Sequence, residues 1–449
     1  MSTRIVVIGA GSAMFSLSLV RDFCLTPALA GSTVVFVDVD GDRLRAVHAL
    51  CVRYAAEVGI PLRLEQTDDR RAALAGADFV INTALVAGHR RLQEGWAVAR
   101  RHGYRFGGSL HVMHDEAFWI NFHQFRLFDA LARDVLDICP QAWFLLVANP
   151  VLAGTTWLGR TWPQLKVVGL CHGFSGVFHL AEALGLDRAG LHFEIPGVNH
   201  FVWLTRLTHQ GRDVLPLIDE WIASEAAEFW TRCGPSDGLG PAPVDLYRRF
   251  GRFPIGDTAT PGGGSWPPWY HWDEATERTW QEDPEAWWRD VYFGEAERTI
   301  GRIRALVEDP SARVTELIPP EKSGEVMVEL IEAIACDAPR TLVGNVLNAE
   351  GFVAGIPRDF AVEVPVTADG RGVRGNATTP LPRAVLARLW RDRLAPVELE
   401  LAAYAQGSRE LLRQLILTDP FTRSLAQADA LLEDVLALPG QEALREHYR

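Results

Sequence analysis

The chain has 449 residues, 48% hydrophobic and 22% charged, which is typical of a globular enzyme with two domains or one large second lobe. Lys+Arg 44 against Asp+Glu 57 gives a net charge of −13, which argues against nucleic acid and anionic membrane surfaces as partners. No apolar run reaches the roughly 18 residues of a membrane helix, and the six cysteines are scattered without a CxxC pair. We therefore expect a cytoplasmic protein with free thiols.

The first 190 residues alternate short apolar runs with longer helical patterns. Five β-branched runs predict buried parallel strands, namely RIVVIGA, STVVFVDV, ADFVINTA, AWFLLVANP and LKVVGLC. Two segments between them carry apolar residues at helical spacing, DGDRLRAVHALCVRYAAEVG and DEAFWINFHQFRLFDALARDVLDIC. These repeated strand–helix units predict a Rossmann-like, doubly wound α/β domain over residues 1–190.

Residues 191–449 have a different character. Trp, Pro and Gly become frequent in long loops such as GPSDGLGPAP and TPGGGSWPPWYHW. Later segments predict an amphipathic helix, EKSGEVMVELIEAIACD, and a strand, FAVEVPVTAD, before a helical C-terminus. We expect a second, mixed α+β domain that binds substrate and contributes to oligomerisation.

A glycine-rich turn follows the first predicted strand. In IGAGSAMF, Gly9 permits a tight turn, and Gly11 lets the backbone approach a pyrophosphate at the N-terminus of the next helix. Met14 replaces the usual third glycine, so this dinucleotide fingerprint is incomplete. Asp38, at the end of the second predicted strand, is placed to bind the adenosine ribose hydroxyls. An acid there favours NAD over NADP, because a 2′-phosphate would meet like charge.

Further candidate contacts to NAD lie in the same turn and at the ends of later strands. They are Ser12, Ala13, Thr83 and Asn149. Asn149 precedes a proline in VANPV, at the carboxyl end of a parallel strand, where open α/β sheets bind their ligands. The alternatives are a glycine turn that binds nothing and an asparagine that only turns the chain into a loop.

The stretch VVGLCHGFSG places Cys171 beside His172 at the end of a strand. Adjacent residues on a strand point to opposite faces, so the two make a poor nucleophile–base pair. A metal site is another hypothesis, and IPGVNHFVWL supplies Asn199 and His200 as candidates for further ligands. A thiolate and an imidazole leave coordination positions open, which suits a metal that holds substrate oxygens. By spacing alone, ordinary residues at a strand end remain the simpler interpretation.

Seven motifs occur in order: GAGS with VDVD, ADFVINTA, ANPV, GLCHGFSGV, GVNHFVWL, PIGDT and IPRDFAVEVP. Together they closely resemble glycoside hydrolase family 4, the NAD- and divalent-metal-dependent glycosidases. The α-glucosidase/α-galactosidase-like branch is the nearest match. Each motif alone is weakly specific, but the ordered set runs from Ile5 to the C-terminal helices. The resemblance implies a lactate/malate dehydrogenase-like fold with a mixed α+β C-terminal domain.

The resemblance also implies roles for individual residues. Cys171 and His200 match the two metal-ligand positions, usually filled by manganese, and Asn149 matches a contact to substrate hydroxyls beside the nicotinamide. Asp257 in PIGDT matches the carboxylate proposed as catalytic base. His172 stands where phospho-specific members have an aspartic acid as general acid. It is therefore the candidate proton donor, although the identity of the acid stays open.

The implied reaction is hydrolysis of an α-glycoside by oxidation, elimination, addition and reduction. NAD takes a hydride from C3 of the sugar, the metal polarises the new carbonyl group, and the base removes the acidified C2 proton. The aglycone then departs, water adds, and the hydride returns, so that NAD is regenerated. This route differs from the two-carboxylate pattern of most glycosidases.

A neutral α-glucoside or α-galactoside is the first expectation for the substrate. The alternative is a glycoside anionic at C6, a hexuronide or sulfoquinovoside, because the loop YRFGGSLHVMHDEAFW is rich in His and Arg. A simpler interpretation makes this loop a capping turn, with Asp115 as N-cap of the next helix. The segment SWPPWYHW, residues 265–272, offers faces for a sugar ring or a subunit contact. The candidate substrate contacts are Arg105, His114, Asn149 and Asn199.

Two other functional classes remain open. A lactate/malate-type 2-hydroxy acid dehydrogenase shares the fold and the Asn-Pro, but the sequence has no GEHGD-like catalytic motif. A non-catalytic NAD sensor would bind NAD without needing Cys171 or His200. For the enzyme we expect a homodimer or homotetramer that acts on a small sugar glycoside, without nucleic acid or membrane partners.

Overall fold

The computed structural model describes residues 3–86, 88–263 and 267–449. The strands of the N-terminal half are β1 (Arg4–Ile8), β2 (Thr33–Val37), β3 (Arg63–Thr67), β4 (Phe79–Asn82), β5 (Trp143–Leu146) and β6 (Lys166–Gly169). They pair in parallel in the order β3–β2–β1–β4–β5–β6. This doubly wound order places a ligand crevice beyond the carboxyl ends of β1 and β4. The predicted Rossmann-like architecture is confirmed.

Apolar, β-branched side chains build the centre of this sheet. β1 pairs with β2 from Arg4↔Thr33 to Ile8↔Val37, and every residue of β2 is buried. Burial on both faces explains why the five runs predicted from the sequence are apolar almost throughout. β3 has the polar sequence RLEQT and was not predicted. It lies at the edge of the sheet, where one side is unpaired and polar side chains are favoured.

Helices cover both faces of the parallel strands. They are α1 (Ala13–Cys24), α2 (Gly41–Val58), α3 (Arg70–Leu74), α4 (Gly88–Arg101), α5 (Phe118–Ile138), α6 (Val151–Thr161) and α7 (Gly176–Ala183). The two helices predicted from apolar periodicity are confirmed as α2 and α5. Asp40 caps α2 by accepting a hydrogen bond from the Arg43 amide, and Gly59 ends the helix at a φ of 80°.

The second half of the chain extends the same sheet. Its strands are β7 (Leu191–Glu194), β8 (Gly197–Val198), β9 (Phe201–Leu204), β10 (Arg206–His209), β11 (Arg212–Asp213), β12 (Phe253–Ile255), β13 (Arg340–Leu347), β14 (Ala361–Asp369) and β15 (Gly372–Gly375). β13 pairs with β6 through Asn345 and Gly169, and the sheet continues as β14–β8–β9–β12, with β15 on β14. β7, β10 and β11 form a small antiparallel sheet. Loops from both halves of the chain therefore meet near the end of β6.

Short helices fill the rest of the second half. They are α8 (Pro216–Ser224), α9 (Ala226–Phe229), α10 (Pro241–Phe250), α11 (Glu274–Trp280), α12 (Pro284–Ala286), α13 (Gly294–Glu308), α14 (Val314–Leu317), α15 (Met327–Ala335), α16 (Arg383–Leu389), α17 (Ala395–Gln406), α18 (Arg409–Leu417), α19 (Leu425–Leu436) and α20 (Glu442–His447). Within the described ranges, no helix combines the length and apolarity needed to cross a membrane.

The expected strand and helix of the second half are β14 and α15. The helix is shorter than predicted because Gly324, at a φ of 84°, keeps the segment before it in a loop. Two π-helical segments, Trp287–Phe293 and Trp390–Leu394, interrupt the helical parts. The mixed α+β composition of the second half is confirmed.

The turn after β1 passes so close to the loop after β4 that it excludes a side chain. A Cβ on Gly9, whose φ is 86°, would lie 2.5 Å from Cα of Ala84. We expect Gly9→Ala to lower the free energy of unfolding by about 1–3 kcal/mol more than Gly59→Ala. Gly59 has a similar φ of 80°, but an added Cβ there would have nothing within 4 Å, so Gly59→Ala measures the cost of the backbone strain alone. Urea unfolding followed by circular dichroism gives both values, and equal losses would contradict this explanation.

Candidate active site

The turn between β1 and α1 is held by the end of β2. The Gly9 amide donates to the Val37 carbonyl at 2.9 Å, and the Gly11 amide donates to Oδ2 of Asp38 at 2.7 Å. A Cβ on Gly11 would lie only 2.7 Å from that same carboxylate oxygen. Gly11 is therefore required for Asp38 to lie against the turn, where the sequence predicts the ribose contact.

The other predicted cofactor residues surround this turn. Ser12 is the N-cap of α1 and Ala13 its first residue, so both lie at the positive end of the helix dipole. The Thr83 hydroxyl donates to the Ile8 carbonyl at 3.0 Å and ties the end of β4 to that of β1. Met14, in place of the third glycine, packs against the hydrophobic core.

Three apolar side chains next to these strand ends are exposed to solvent. Val39 is 100% exposed, Leu85 37% and Val86 49%. Large apolar side chains left uncovered beside a crevice favour a ligand with a flat apolar part. Together with the glycine turn, the helix N-terminus and the oriented Asp38, they fit a dinucleotide.

Asn149, at the end of β5, is fixed by two partners. Its side-chain amide donates to Oδ2 of Asp115 at 3.0 Å, and its carbonyl accepts from Gln124 at 2.8 Å. The expectation that Asp115 caps the next helix is wrong, because Ala117 is the N-cap of α5. The Asp115 carboxylate points instead toward the crevice side chain of Asn149.

Gln124 is a site residue that sequence reasoning missed. It is completely buried on α5, and its amide also donates to the Ala84 carbonyl at 3.0 Å, while its Oε1 accepts from the Val86 amide at 2.9 Å. Gln124 thus joins the loops that follow β4 and β5. The sequence feature that could have identified Gln124 is a glutamine at a position where the helical pattern calls for an apolar residue, because a buried polar side chain needs hydrogen-bond partners.

Cys171, His200 and Asp257 converge although they are distant in sequence. Cys171 lies two residues after β6, His200 between β8 and β9, and Asp257 just after β12. Their ligand atoms all lie within 4.8 Å of one another. A thiolate, an imidazole and a carboxylate at this spacing are a donor set for a divalent transition metal.

Glycines make this convergence possible. A Cβ on Gly256, whose φ is 54°, would lie 1.9 Å from the Gly173 carbonyl oxygen. A Cβ on Gly173 would lie 3.2 Å from Oδ2 of Asp257 and 3.7 Å from Sγ of Cys171. The space between the thiol and the carboxylate is therefore kept open by the absence of a side chain.

The imidazole of His200 is surrounded by acidic groups. Its Nδ1 lies 3.1 Å from Oε1 of Glu116, and its Nε2 lies 3.5 Å from Oδ2 of Asp257. Burial would lower the pKa of His200, but Cys171 and Asp257 outweigh burial and hold that pKa well above its usual value. Burial raises the pKa of the Cys171 thiol, and His200 partly offsets this rise. Two carboxylates and a thiol around one imidazole favour a positive charge at this point, which a divalent cation would provide.

His172 is not part of this cluster, and because β6 ends at Gly169, before both Cys171 and His172, strand alternation does not decide where its side chain lies. Its side chain is 43% exposed, and its Nδ1 lies 3.4 Å from Oε1 of Glu325. The hydrogen bond to Glu325 outweighs burial and raises the pKa of His172. His172 and Cys171 line the same cavity, so the imidazole is available to a ligand bound there.

Three predicted substrate contacts are committed to other partners. Arg105 donates to both carboxylate oxygens of Glu277 at 3.0 Å. The Nε2 of buried His114 lies 2.6 Å from the Gly262 carbonyl. The Asn199 amide donates to Oε2 of buried Glu363 at 3.0 Å, so Asn199 supports the His200 loop from below.

The cavity beside the cluster has a volume of about 380 Å³ and is lined by polar and apolar residues. Among the described residues that line it there is no lysine or arginine: Cys171, His172, Gly173, Ser175, Gly176, His179, Gly238, Leu239, Phe253, Pro254, Gly256, Asp257, Thr260 and Trp287. Trp287 belongs to a π-helical segment and was not predicted as a site residue. In the Trp-rich loop, Ser265 and Trp266 lie outside the described residues, and residues 267–272 do not line the cavity.

Comparison with known proteins identifies the relatives of this chain. The sequence model of "Family 4 glycosyl hydrolase" matches residues 4–186, and that of its C-terminal domain matches residues 195–422. An alpha-glucosidase of Erwinia rhapontici is 27% identical over 93% of this chain and 94% of that protein. An alpha-galactosidase of Bacillus subtilis (strain 168) is 25% identical, covering 97% and 96%. An alpha-galacturonidase of Lachnoclostridium phytofermentans is 22% identical, covering 96% and 95%.

A solved structure shares the whole fold. It is a 6-phospho-alpha-glucosidase from gut microorganisms in complex with NAD and Mn²⁺, and it matches with a TM-score of 0.80. The two sequences are 17% identical, and the match covers 100% of this chain and 99% of the other. The order of strands and the second domain are therefore those of a known architecture.

The open space at Gly173 generates a test of the donor cluster. Gly173 has no positive φ, so Gly173→Ala adds a Cβ near Asp257 without straining the backbone. We expect Mn²⁺ affinity to fall about tenfold while the free energy of unfolding changes by less than about 1 kcal/mol. Electron paramagnetic resonance of free Mn²⁺ measures the affinity. Gly301→Ala is the control, because nothing lies within 4 Å of its added Cβ. Unchanged affinity in Gly173→Ala would mean that the cation binds elsewhere.

Proposed function

The chain belongs to glycosyl hydrolase family 4, and we propose that it hydrolyses neutral α-glycosides with NAD and a divalent metal, Mn²⁺. The observation that carries the proposal is the convergence of Cys171, His200 and Asp257. They meet at the carboxyl edge of the sheet that also carries the turn of Gly9 and Gly11. A redox cofactor and a metal at one edge match the oxidation–elimination chemistry expected from the sequence.

In this proposal, different residues of the crevice bind different parts of NAD. Ser12 and Ala13 lie at the start of α1, where the pyrophosphate would bind, while the Gly11 amide holds Asp38, whose carboxylate would accept hydrogen bonds from the ribose hydroxyls. Asn149 orients the sugar beside the nicotinamide, with its own amide fixed by Asp115. NAD, when bound, supplies a hydride acceptor for a sugar carbon and later returns the hydride. The complex of the solved relative with NAD and Mn²⁺ supports this choice of cofactors.

Cys171 and His200 would hold the metal, which when bound acts as a Lewis acid toward the sugar hydroxyl oxygens. Asp257 lies beside both ligands with 30% of its side chain exposed to the cavity. In our proposal its carboxylate removes the proton from C2 of the sugar. The two glycines at 173 and 256 keep the approach to that carboxylate free.

His172 is the proposed proton donor to the departing glycosidic oxygen. It lines the same cavity as Cys171 and is paired with Glu325. An imidazolium stabilised by a carboxylate can donate a proton to the departing oxygen. The resulting imidazole can then accept a proton from the water that adds. His172 and Asp257 thus serve as separate acid and base.

A neutral sugar fits the charge of the cavity. The described lining residues include no lysine or arginine that could pair with a sugar carboxylate or sulfonate. Arg105, the candidate anion contact, is neutralised by Glu277. Relatives named alpha-glucosidase and alpha-galactosidase support this preference, whereas the alpha-galacturonidase represents the anionic alternative.

Cellular location and assembly are proposed from the sequence. All six cysteines are free thiols, in line with a reducing cytoplasm. The homodimer or homotetramer stays a prediction, to be measured by light scattering.

The substrate and cofactor proposal is tested with aryl glycosides. With NAD and Mn²⁺ present, we expect turnover of α-glucosides or α-galactosides without net NADH formation. Cys171→Ala and His200→Ala should each reduce turnover by about 100-fold or more and remove metal activation. Cys336→Ala is the matched control, because this partly buried thiol donates to the Ala28 carbonyl and does not belong to the donor cluster.

Other outcomes of that assay identify the alternatives. Turnover restricted to C6-anionic glycosides would replace the neutral substrate. Net NADH formation from a 2-hydroxy acid would indicate a dehydrogenase. NAD binding without any turnover, and without an effect of Cys171→Ala, would indicate a sensor.

The separate roles of His172 and Asp257 predict different dependence on the leaving group. His172→Asn should reduce hydrolysis of alkyl glycosides by about 10²–10⁴-fold but affect nitrophenyl glycosides much less, because nitrophenolate leaves without protonation. Asp257→Asn should reduce both substrates by similar factors and stop exchange of the C2 proton with deuterated water. Equal losses on both substrates for His172→Asn would refute its role as acid. Loss of Mn²⁺ affinity in Asp257→Asn would make that residue a ligand instead of the base.

A further inference from the structure

A buried ion pair lies behind the His200 imidazole. Glu116 and Arg393 are both 0% exposed, and a guanidinium nitrogen of Arg393 lies 3.6 Å from Oε1 of Glu116. The same Oε1 lies 3.1 Å from Nδ1 of His200. Contacts therefore lead from Arg393, in the segment Trp390–Leu394, through Glu116 to His200, the candidate metal ligand.

Arg393 also holds the two loops that carry the metal-site residues. It donates to the Asn199 carbonyl at 3.1 Å, immediately before His200, and to the Gly263 carbonyl at 3.3 Å. Gly263 lies against Asp257, since a Cβ there would be 1.5 Å from the Asp257 carbonyl oxygen. One guanidinium thus joins the His200 loop, the Asp257 segment and Glu116.

The backbone of His200 makes this support necessary. Its φ is 60°, in the left-handed region that a residue with a side chain rarely adopts. Such a conformation persists only where surrounding contacts determine it. Glu116 fixes the ring from the Nδ1 side, which leaves Nε2 facing Asp257 and the Cys171 thiol.

We propose that Glu116 and Arg393 are positioning residues that set the affinity of the Cys171–His200 site for its divalent metal. The inference rests on the metal site of the proposed function. Carboxylates bonded to the second nitrogen of a ligating histidine fix its orientation and raise its basicity, and their loss typically weakens metal binding 10–100-fold. Arg393 lies 3.6 Å from Glu116, so that neither charge is buried alone.

A second interpretation is that Glu116 binds a metal itself, together with His114 and Asp115, whose ligand atoms lie within 4.8 Å of one another. The charge of Arg393 at 3.6 Å from Glu116 opposes a cation there. Asp115 is bonded to Asn149, and Nδ1 of His114 accepts from the Glu116 amide at 3.2 Å. These side chains are therefore already engaged, and we expect one metal per chain.

The test measures Mn²⁺ binding directly on full-length protein freed of metal. We expect Glu116→Gln to weaken Mn²⁺ binding about 10–100-fold, read from the paramagnetic resonance of free Mn²⁺. Arg393→Lys keeps the charge but replaces the two nitrogens that reach the Gly263 and Asn199 carbonyls with one, so it should weaken binding in the same direction. Asp134→Asn is the control: it breaks the ion pairs of Asp134 with the partly exposed Arg70 and Arg71 at the far end of α5, about 24 Å along the helix from Phe118.

Each outcome decides between distinct conclusions. Wild-type Mn²⁺ affinity in folded Glu116→Gln would overturn this inference and leave the proposed function intact. Failure of the wild-type protein to bind Mn²⁺ would instead overturn the metal site of the proposed function. If Glu116→Gln does not fold, Glu116→Asp replaces it, since the shorter side chain keeps the negative charge but withdraws the carboxylate from His200. Two Mn²⁺ ions per chain would favour the second interpretation.

Discussion

The junction of β13 with β6 is the contact on which the candidate site depends. Without β13, the last parallel strand would be an edge with unpaired backbone groups. Pairing through Asn345 and Gly169 closes that edge and carries the sheet into the second half of the chain. Gly169 is required there, because its Cβ would lie 2.5 Å from Oγ1 of Thr155 and 2.9 Å from Cβ of Asn345. The join thereby places the His200 and Asp257 loops beside Cys171.

The loops that carry His200 and Asp257 can pack together only if the buried charged side chains between them are paired. His200, Glu116 and Arg393 are all buried, and none of these charges is left alone in the interior. Asn199 and Asn345 both donate to buried Glu363 beneath the same loop. The polar network thus fixes the ligand side chains from behind, while the front of the site is lined by glycines and remains open. A site in which a polar network holds the candidate ligands and glycines leave the cavity side open is suited to admitting a sugar.

Most of the parallel sheet could be predicted, because buried strands are marked by runs of apolar residues. β3 escaped prediction because an edge strand needs no apolar face. The cofactor turn was identified from Gly9, Gly11 and Asp38, whose roles are local in sequence. The loop at residues 104–119 was harder: His114 was a candidate for anion binding and Asp115 for capping, whereas in the structure they contact Gly262 and Asn149. Local patterns carry no information about such distant partners.

By itself, the sequence determined the doubly wound sheet, the dinucleotide turn and, through the ordered motifs, the family and the candidate ligands Cys171 and His200. These properties depend on short segments in which each residue acts near its own position. Only the tertiary structure decided that Asp257 joins the two ligands, that Arg105 is neutralised by Glu277, and that Glu116 and Arg393 support His200. These contacts join residues separated by tens to hundreds of positions, and they exist only once burial and chain topology have brought the segments together.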